Sequence, residues 1–179
     1  MLRNLGAIIA GGQARRFGVD KAAALLHGQA LIDHIAFALR PQVDMLVVVG
    51  RDWPGIDALT DCPAGACGPL AGLNAALHHA QRLGLDGVLS AGCDTLPVPS
   101  DLGRLLAGDG PAFIADHFVL GWWPSGLAAL LDRHLAGEND RSLRGWITRC
   151  GARAIEPPFV LHNLNTASDL ASYARITAS

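Results

Sequence analysis

The sequence predicts an α/β fold in which helices cover both faces of a mostly parallel β-sheet. Apolar runs of strand length alternate with segments of helical periodicity along the chain. The strand segments are apolar at successive positions, which is typical of sheets buried on both faces. With 179 residues, 50% of them hydrophobic and 17% charged, the chain is large enough for one hydrophobic core. We therefore expect residues 1–179 to form a single domain.

The predicted strands are short apolar segments. The clearest is MLVVV at residues 45–49, because its β-branched residues favour extended backbone. The others lie at residues 5–10, 87–91 and 111–115. Parallel strands end at the same edge of a sheet, and ligands bind there in folds of this class. We therefore expect the loops after Ala10, Val49 and Ala91 to line one crevice.

The predicted helices connect these strands. Leu31, Ile35 and Leu39 recur at helical spacing and form one apolar face. Helical patterns cover residues 31–39, 70–83, 125–135 and 142–150. A short helix is expected between a Ser100 cap and Leu106, and a final helix between a Thr166 cap and Ile176. Helices on both sides of the sheet give a three-layer α/β/α sandwich.

The overall composition excludes several classes of protein. The net charge of −2 argues against general nucleic-acid binding, which needs a basic excess. No apolar run approaches the ~20 residues of a membrane span, and the first ten residues are too short for a signal peptide. The four cysteines, Cys62, Cys67, Cys93 and Cys150, include no C-x-x-C pair, so we expect free thiols and no zinc site. These observations predict a cytoplasmic protein.

The loop after the first strand combines glycines with positive charge. Gly11 and Gly12 allow a tight turn with outward-pointing N–H groups, and Arg16 and Lys21 add fixed positive charge. Gly18 lets a second backbone segment approach closely. The combination suits a triphosphate, although it matches neither of the common phosphate loops. The alternative is an ordinary tight turn with solvated charges.

Asp94 follows the third predicted strand at its carboxyl end. A lone carboxylate in this position suits Mg²⁺, which often binds through one or two carboxylates plus substrate phosphates. A turn or helix-capping role is the alternative. The neighbouring positive loop favours the metal, because triphosphate chemistry needs a divalent ion to bridge phosphate oxygens.

Four segments together resemble one enzyme family. IAGGQARRFGVDK at residues 9–21 is similar to the signature of nucleotidyltransferases that activate a small phosphorylated molecule. The later segments are Asp61 placed seven residues before GPLAG at 68–72, GCDTLPVP at 92–99 and HNLNTASDL at 162–170. In this order they resemble the molybdenum cofactor guanylyltransferases, also called molybdopterin-guanine dinucleotide synthases, over roughly residues 5–171.

The resemblance implies a Rossmann-like sheet of the nucleotide-diphospho-sugar transferase type, a GTP site and a Mg²⁺ ion held by Asp94. The implied catalytic residues are Lys21, Arg16 and Asp94. The implied nucleotide-binding residues are Ala10, Gly11, Gly12, Lys21, Gly50, Asp61, Gly68, Pro69, Leu70, Gly72 and Asp94. A carboxylate such as Asp61 can accept both guanine N1–H and the N2 amino group. Relatives often carry an Asn that contacts the nucleotide where this chain has Gly50, and this departure leaves guanine selectivity open.

The second substrate, molybdopterin, is expected to bind towards the carboxyl half. Asn163 and Asn165 match the family's N-x-N-T motif, although capping of the next helix is an alternative for Asn165. HFVLGWWP at residues 117–124 resembles the segment that faces the pterin. His117 is a candidate phosphate contact or a structural histidine. Trp122, with Trp123, is a candidate for stacking on the pterin or for core packing.

The implied reaction is transfer of GMP from GTP to the terminal phosphate of molybdopterin, with release of pyrophosphate. Cofactor-delivery proteins are further candidate partners, and a monomer or small homo-oligomer is expected. A related nucleotidyltransferase could instead use CTP with molybdopterin, or another nucleotide with a sugar phosphate. A non-catalytic nucleotide-binding regulatory module is the third alternative. Further candidates for holding an anionic cofactor are Arg51, Arg141, Arg144 and Arg149, each with a solvated helix face as its alternative.

Overall fold

The computed structural model describes residues 2–11, 20–63, 68–137 and 142–178. Its strands are β1 (Asn4–Ile9), β2 (Leu25–Leu26), β3 (Gln29–Ala30), β4 (Met45–Val49), β5 (Asp57–Leu59), β6 (Gly87–Gly92), β7 (Thr95–Leu96), β8 (Ala112–Ile114), β9 (His117–Pro124), β10 (Arg153–Ile155) and β11 (His162–Asn163). Its α-helices are α1 (Leu31–Leu39), α2 (Pro69–Arg82), α3 (Leu102–Leu105), α4 (Ala128–Ala136), α5 (Leu143–Cys150) and α6 (Ala167–Ile176). Short 3₁₀ helices occupy Arg40–Gln42 and Ser125–Leu127.

Within the described ranges, seven strands form one sheet in the order β10-β8-β9-β6-β1-β4-β5. β1 pairs in parallel with both β4 and β6, and β4 pairs in parallel with β5. β9 is antiparallel to both of its neighbours, β6 and β8. The carboxyl ends of β1, β4 and β6 therefore meet at one edge, as the sequence predicts. β7 and β11 form a small antiparallel pair at the same edge, immediately after β6.

Each face of the sheet carries its own apolar core. Successive side chains of a strand point to opposite faces, and β1 follows this rule: Leu5 and Ala7 pack in one core and Ile8 in the other. The core that contains Ile8 includes buried residues of α1, α3 and α6. The core that contains Leu5 includes those of α2, α4 and α5. This arrangement confirms the predicted three-layer α/β/α fold.

The predicted strands are present as β1, β4, β6 and β8, whereas the remaining strands were not predicted. The expected strand at 111–115 is present as β8, but the neighbouring β9 was not predicted and adds the antiparallel strand. The segment at 125–135 begins as a 3₁₀ turn before α4. The capping expectation for Ser100 is wrong, because the residue that precedes α3 is Asp101 and its side chain makes no capping hydrogen bond. Thr166 does cap α6: its hydroxyl accepts from the Asp169 N–H in a capping box.

Candidate active site

The loops after β1 and β4 touch at the predicted edge. The Ala10 N–H donates to the Val49 carbonyl at 2.9 Å. A Cβ built on Gly50 would lie 2.4 Å from the Cα of Gly11, so the two backbones are in direct contact. Gly50 has a φ of +88°, in the left-handed region that favours glycine. The expected crevice is thus lined by backbone at this point.

Lys21 reaches across the edge to the loop after β6. Its ammonium nitrogen Nζ lies 3.5 Å from Asp94 Oδ2 and donates to Asn165 Oδ1 at 3.3 Å. The Lys21 side chain is 16% exposed, whereas that of Asp94 is 43% exposed. Asp94 therefore presents carboxylate oxygen to solvent while the partly buried lysine stays beside it. Three separate sequence motifs meet at this point.

Asn163 and His117 lie next to this cluster. Asn163 in β11 pairs with Thr95 in β7, and the Thr95 hydroxyl donates to Asn163 Oδ1 at 3.1 Å. His117 Nδ1 lies 3.2 Å from the same oxygen. The Leu164 N–H donates to the Asp94 carbonyl at 2.7 Å. The structure therefore brings both asparagines of the N-x-N-T motif and His117 to the side of Asp94.

Asp61 lies beside the first turn of α2, and its carboxylate is surrounded by Gly11, Gly50 and Gly72. We call this position the glycine-walled corner. A Cβ on Gly11 would lie 3.1 Å from Asp61 Oδ2, and a Cβ on Gly72 would lie 3.4 Å from Asp61 Oδ1. Burial raises the pKa of the Asp61 carboxyl, because removal from water disfavours the charged form. Within the described residues, no hydrogen bond to the carboxylate offsets this cost. A ligand that donates two hydrogen bonds would satisfy it.

The GPLAG segment forms the start of α2. Gly68 precedes the helix with a φ of +105°, and Pro69 is the first helical residue, where its missing N–H costs nothing. The Leu70 side chain is buried in the core, so its contribution to a nucleotide site is limited to its backbone. Gly72 packs against Ile9 of β1, where a Cβ would lie 3.1 Å from Ile9 Cγ2. Small residues here allow α2 to approach the sheet beside Asp61.

Trp122 lies at the other end of the sheet. β9 is antiparallel to β6, and Trp122 pairs with Leu89 there, whereas Asp94 is the second residue after the end of β6. Trp122 Nε1 donates to Asn4 Oδ1 at 3.0 Å, at the beginning of β1. Trp122 and Trp123 are 8% and 0% exposed. The stacking hypothesis does not fit this placement, and both tryptophans pack in the core.

Four candidate residues lie outside the described residues: Gly12, Arg16, Gly18 and Arg141. Of the residues that the sequence analysis did not propose, Thr95 is the clearest addition, since its hydroxyl links Asp94 to Asn163 at 3.4 and 3.1 Å. The position of Thr95 directly after Asp94 is the sequence feature that could have identified it as a site residue. Cys93, on the other side of Asp94, is a packing residue: burial raises the pKa of its thiol to about 12.

The oxygen donors at this edge fit a divalent cation. Asp94 offers a carboxylate, and Thr95 and Asn163 place neutral oxygens next to it. Within the described ranges, no group of three or more His, Cys, Asp or Glu side chains could hold a metal by itself. A cation bound here would therefore take the rest of its ligands from substrate phosphates or water, which is the usual mode for Mg²⁺.

The described part of the chain contains no helix that is both long and apolar enough to span a membrane.

Residues 6–154 match the family model described as the MobA-like NTP transferase domain. The chain is 35% identical over 185 residues to the molybdenum cofactor guanylyltransferase of Rhodobacter capsulatus, covering 95% of this chain and 94% of the relative.

Solved structures share the fold. The molybdopterin-guanine dinucleotide biosynthesis protein A of Archaeoglobus fulgidus superposes with a TM-score of 0.78 at 21% identity, covering 97% of this chain and 98% of the other. CMP:2-keto-3-deoxy-manno-octonic acid synthetase, solved with CTP, superposes with a TM-score of 0.76 at 12% identity, covering 98% of each chain. The sheet, the edge and the matched motifs agree with these findings: the chain belongs to the MobA-like NTP transferase family and is a nucleotidyltransferase.

Proposed function

We propose that the protein transfers GMP from GTP to the terminal phosphate of molybdopterin and releases pyrophosphate. The observation that carries this proposal is the meeting of Lys21, Asp94 and Asn165 at one edge of the sheet, with Asp61 in the adjacent glycine-walled corner. A cation, a carboxylate for a metal and an acceptor for a base are the parts that nucleotidyl transfer requires. The named relative from Rhodobacter capsulatus supports the same reaction.

In the proposed reaction, a terminal phosphate oxygen of molybdopterin attacks the α-phosphorus of GTP. A new P–O bond forms, the bond from the α-phosphorus to the bridging oxygen breaks, and pyrophosphate takes the electron pair. The reaction needs no side-chain nucleophile, so catalysis consists of positioning and charge stabilisation. Lys21 holds positive charge where negative charge develops around the α-phosphate. Gly11, together with Gly12 and Arg16 outside the described residues, is assigned to the β- and γ-phosphates of the leaving group.

Asp94 is the residue that would hold the divalent cation, which we propose to be Mg²⁺. When bound, this ion supplies neutralisation of phosphate charge. Lys21 lies beside one oxygen of this carboxylate and also donates a hydrogen bond to Asn165. Asn163 and His117 lie next to Asp94, and we assign them to the phosphate of the second substrate.

Guanine selectivity is assigned to Asp61. Its carboxylate is half-buried and has unused acceptor capacity among the described residues, so it matches the N1–H and N2 donors of guanine. Cytosine lacks this pair of donors. The contact expected of the family's Asn is replaced at Gly50 by backbone, because the approach of Gly11 leaves no room for a side chain.

A thermal-shift panel tests the nucleotide. The protein is heated with Mg²⁺ and one of the nucleotides GTP, CTP, ATP or UTP. All four are used at the same concentration, ~100-fold above the dissociation constant of the GTP complex, at which bound GTP stabilises the folded protein by roughly 2.7 kcal/mol. We expect GTP to raise the melting temperature most. Equal shifts with all four would remove the guanine assignment. Formation of the guanine dinucleotide from GTP and molybdopterin, followed by chromatography, tests the reaction itself.

A further inference from the structure

The loop after β4 contains an arginine that the proposed mechanism does not use. The Arg51 guanidinium binds the Asp20 carboxylate with both of its terminal nitrogens; Nη1 donates to Oδ1 at 2.6 Å, and Nη2 donates to Oδ2. Asp20 is the residue directly before Lys21. This fork-to-carboxylate geometry fixes orientation as well as distance, which a lysine in the same place would not do.

Asp20 organises the turn that carries Lys21. Its Oδ1 also accepts from the Ala22 N–H at 3.2 Å. The Lys21 carbonyl accepts from the Ala24 N–H at 3.2 Å. The Asp20 carboxylate thus binds both the backbone of the turn and the Arg51 guanidinium. Lys21 is the next residue in this turn.

Arg51 is itself held in place. Its guanidinium carbon lies 5.7 Å from the centroid of the Trp53 ring, within the range of a cation–π contact. Trp53 Nε1 donates to Asp33 Oδ1 at 2.7 Å, in the first turn of α1. The Arg51 side chain is 25% exposed. A continuous series of contacts therefore runs from α1 through Trp53 and Arg51 to the turn of Lys21.

We propose that Arg51 is a positioning residue, which acts on the nucleotide through Asp20 in two ways. It fixes the turn from which Lys21 reaches Asp94, and it neutralises a carboxylate that would otherwise stand uncompensated beside the triphosphate. Without Arg51, the charge of Asp20 would repel the polyphosphate chain and would attract Lys21 away from Asp94. The hydrogen bond from Arg51 lowers the pKa of the Asp20 carboxyl from its usual 3.8, and a carboxyl with this usual value is ionised at neutral pH even without Arg51. The assignment deepens the proposed function and rests on it.

A double-mutant cycle tests the proposal. The variants are Arg51→Met, Asp20→Asn and the double variant, with Arg51→Lys added; an Asn at 20 retains an oxygen for the Ala22 N–H. We expect Arg51→Met to lower kcat and to raise the KM for GTP, each by about tenfold, the coupling size of charged residues in contact. Asp20→Asn should recover most of the lost GTP affinity in the double variant, because no uncompensated charge remains. Arg51→Lys should retain the KM better than the kcat.

Arg104→Met is the matched control, since Arg104 pairs with Asp101 on the surface and is 80% exposed. It should leave both constants unchanged. A double variant as impaired as Arg51→Met would overturn the proposal, and so would an Arg51→Met variant with wild-type constants. If Arg51→Met does not fold by circular dichroism, Asp20→Asn and Arg51→Lys carry the same comparison. If the wild type forms no product from GTP and molybdopterin, the proposed reaction is wrong. The GTP affinities of the same variants, measured by calorimetry, then test Arg51 independently of turnover. If the double variant does not regain GTP affinity, the positioning role of Arg51 is rejected.

Discussion

Lys21 Nζ lies 3.5 Å from Asp94 Oδ2, and this contact joins the loop after β1 to the loop after β6. The lysine is also hydrogen-bonded to Asn165, which precedes the cap of α6. The cation is therefore held in place by two acceptors from other parts of the chain. Such preorganisation lets it stabilise charge without moving when the reaction begins.

Lys21→Ala is expected to reduce turnover far more than GTP affinity. Removing a group that stabilises charge developing mainly in the transition state lowers kcat. The loss of one preorganised donor typically reduces the rate by roughly 10²–10³. GTP should bind within about tenfold of wild type, because the backbone loop and Asp61 remain. Calorimetry beside single-turnover product formation measures both quantities. Lys21→Arg should not restore the rate fully, since a planar fork does not replace a compact ammonium. Normal product formation by Lys21→Ala would remove the residue from the mechanism.

Asp94→Ala is expected to abolish metal-dependent turnover while the protein stays folded. The carboxylate is 43% exposed, and Lys21 retains its hydrogen bond to Asn165 in the variant. We therefore expect the free energy of unfolding to change by about 1 kcal/mol or less. The hydrogen bond from the Leu164 N–H reaches the Asp94 backbone carbonyl, which the substitution retains. Product formation across a Mg²⁺ titration and the melting temperature without nucleotide are the measurements. A variant that unfolds, with its folded fraction fully active, would show that Asp94 has a structural role instead.

The parts of the fold that depend on local pattern could be predicted from the sequence. The continuous apolar runs of β1, β4 and β6 indicated a parallel sheet, and helix α1 follows from the spacing of Leu31, Ile35 and Leu39. The Thr166 cap was predictable because a capping side chain acts within three residues. The site could be placed because parallel strands end at one edge, whatever the length of the loops between them.

Contacts between distant segments could not be predicted from the sequence. β9 is antiparallel, and its two tryptophans pack at the amino end of β6; the sequence HFVLGWWP indicates neither its direction nor its partner. The pairing of Arg51 with Asp20 depends on where two loops cross, which no periodicity encodes. The same holds for Gly50, whose conformation is required by the approach of Gly11.

Gly50→Asn introduces the residue that the family resemblance implies at this position, and we expect it to destabilise the protein and to weaken GTP binding. Its Cβ would lie 2.4 Å from Gly11 Cα and 2.7 Å from Gly11 N, so backbone must move. We expect a loss of about 1–3 kcal/mol in the free energy of unfolding, the usual cost of overpacking, measured by urea denaturation.

Gly55→Asn is the matched control for Gly50→Asn. Gly55 also has a left-handed φ, +75°, but a Cβ there would meet no atom within 4 Å. An asparagine tolerates this conformation, so the cost should be about 1 kcal/mol or less. Equal stability of the two variants, or tighter GTP binding by Gly50→Asn, would show that the loop can accommodate an asparagine at position 50.

The contact between α2 and α4 predicts an acid-sensitive contribution to stability. Asn74 Nδ2 donates to Asp132 Oδ1 at 2.7 Å, and His78 Nε2 lies 3.0 Å from both carboxylate oxygens. Burial raises the pKa of Asp132, but the hydrogen bonds from Asn74 and His78 outweigh it, so the pKa lies below its usual 3.8. A carboxyl whose pKa is lower in the folded state stabilises the fold above the unfolded-state pKa. That stabilisation disappears as the pH falls through the lower, folded-state value.

Asp132→Asn should therefore lower the free energy of unfolding near neutral pH, and the difference from wild type should shrink as the pH falls below 3.8. Urea denaturation of both proteins near neutral pH and at about pH 3 measures the change. Asp109→Asn, in the exposed turn after α3, is the control and should alter stability little at either pH. A difference between Asp132→Asn and wild type that stays constant across this range would mean that Asp132 contributes through packing and neutral hydrogen bonding. A decreasing difference would identify the carboxylate charge as the stabilising group between the two helices.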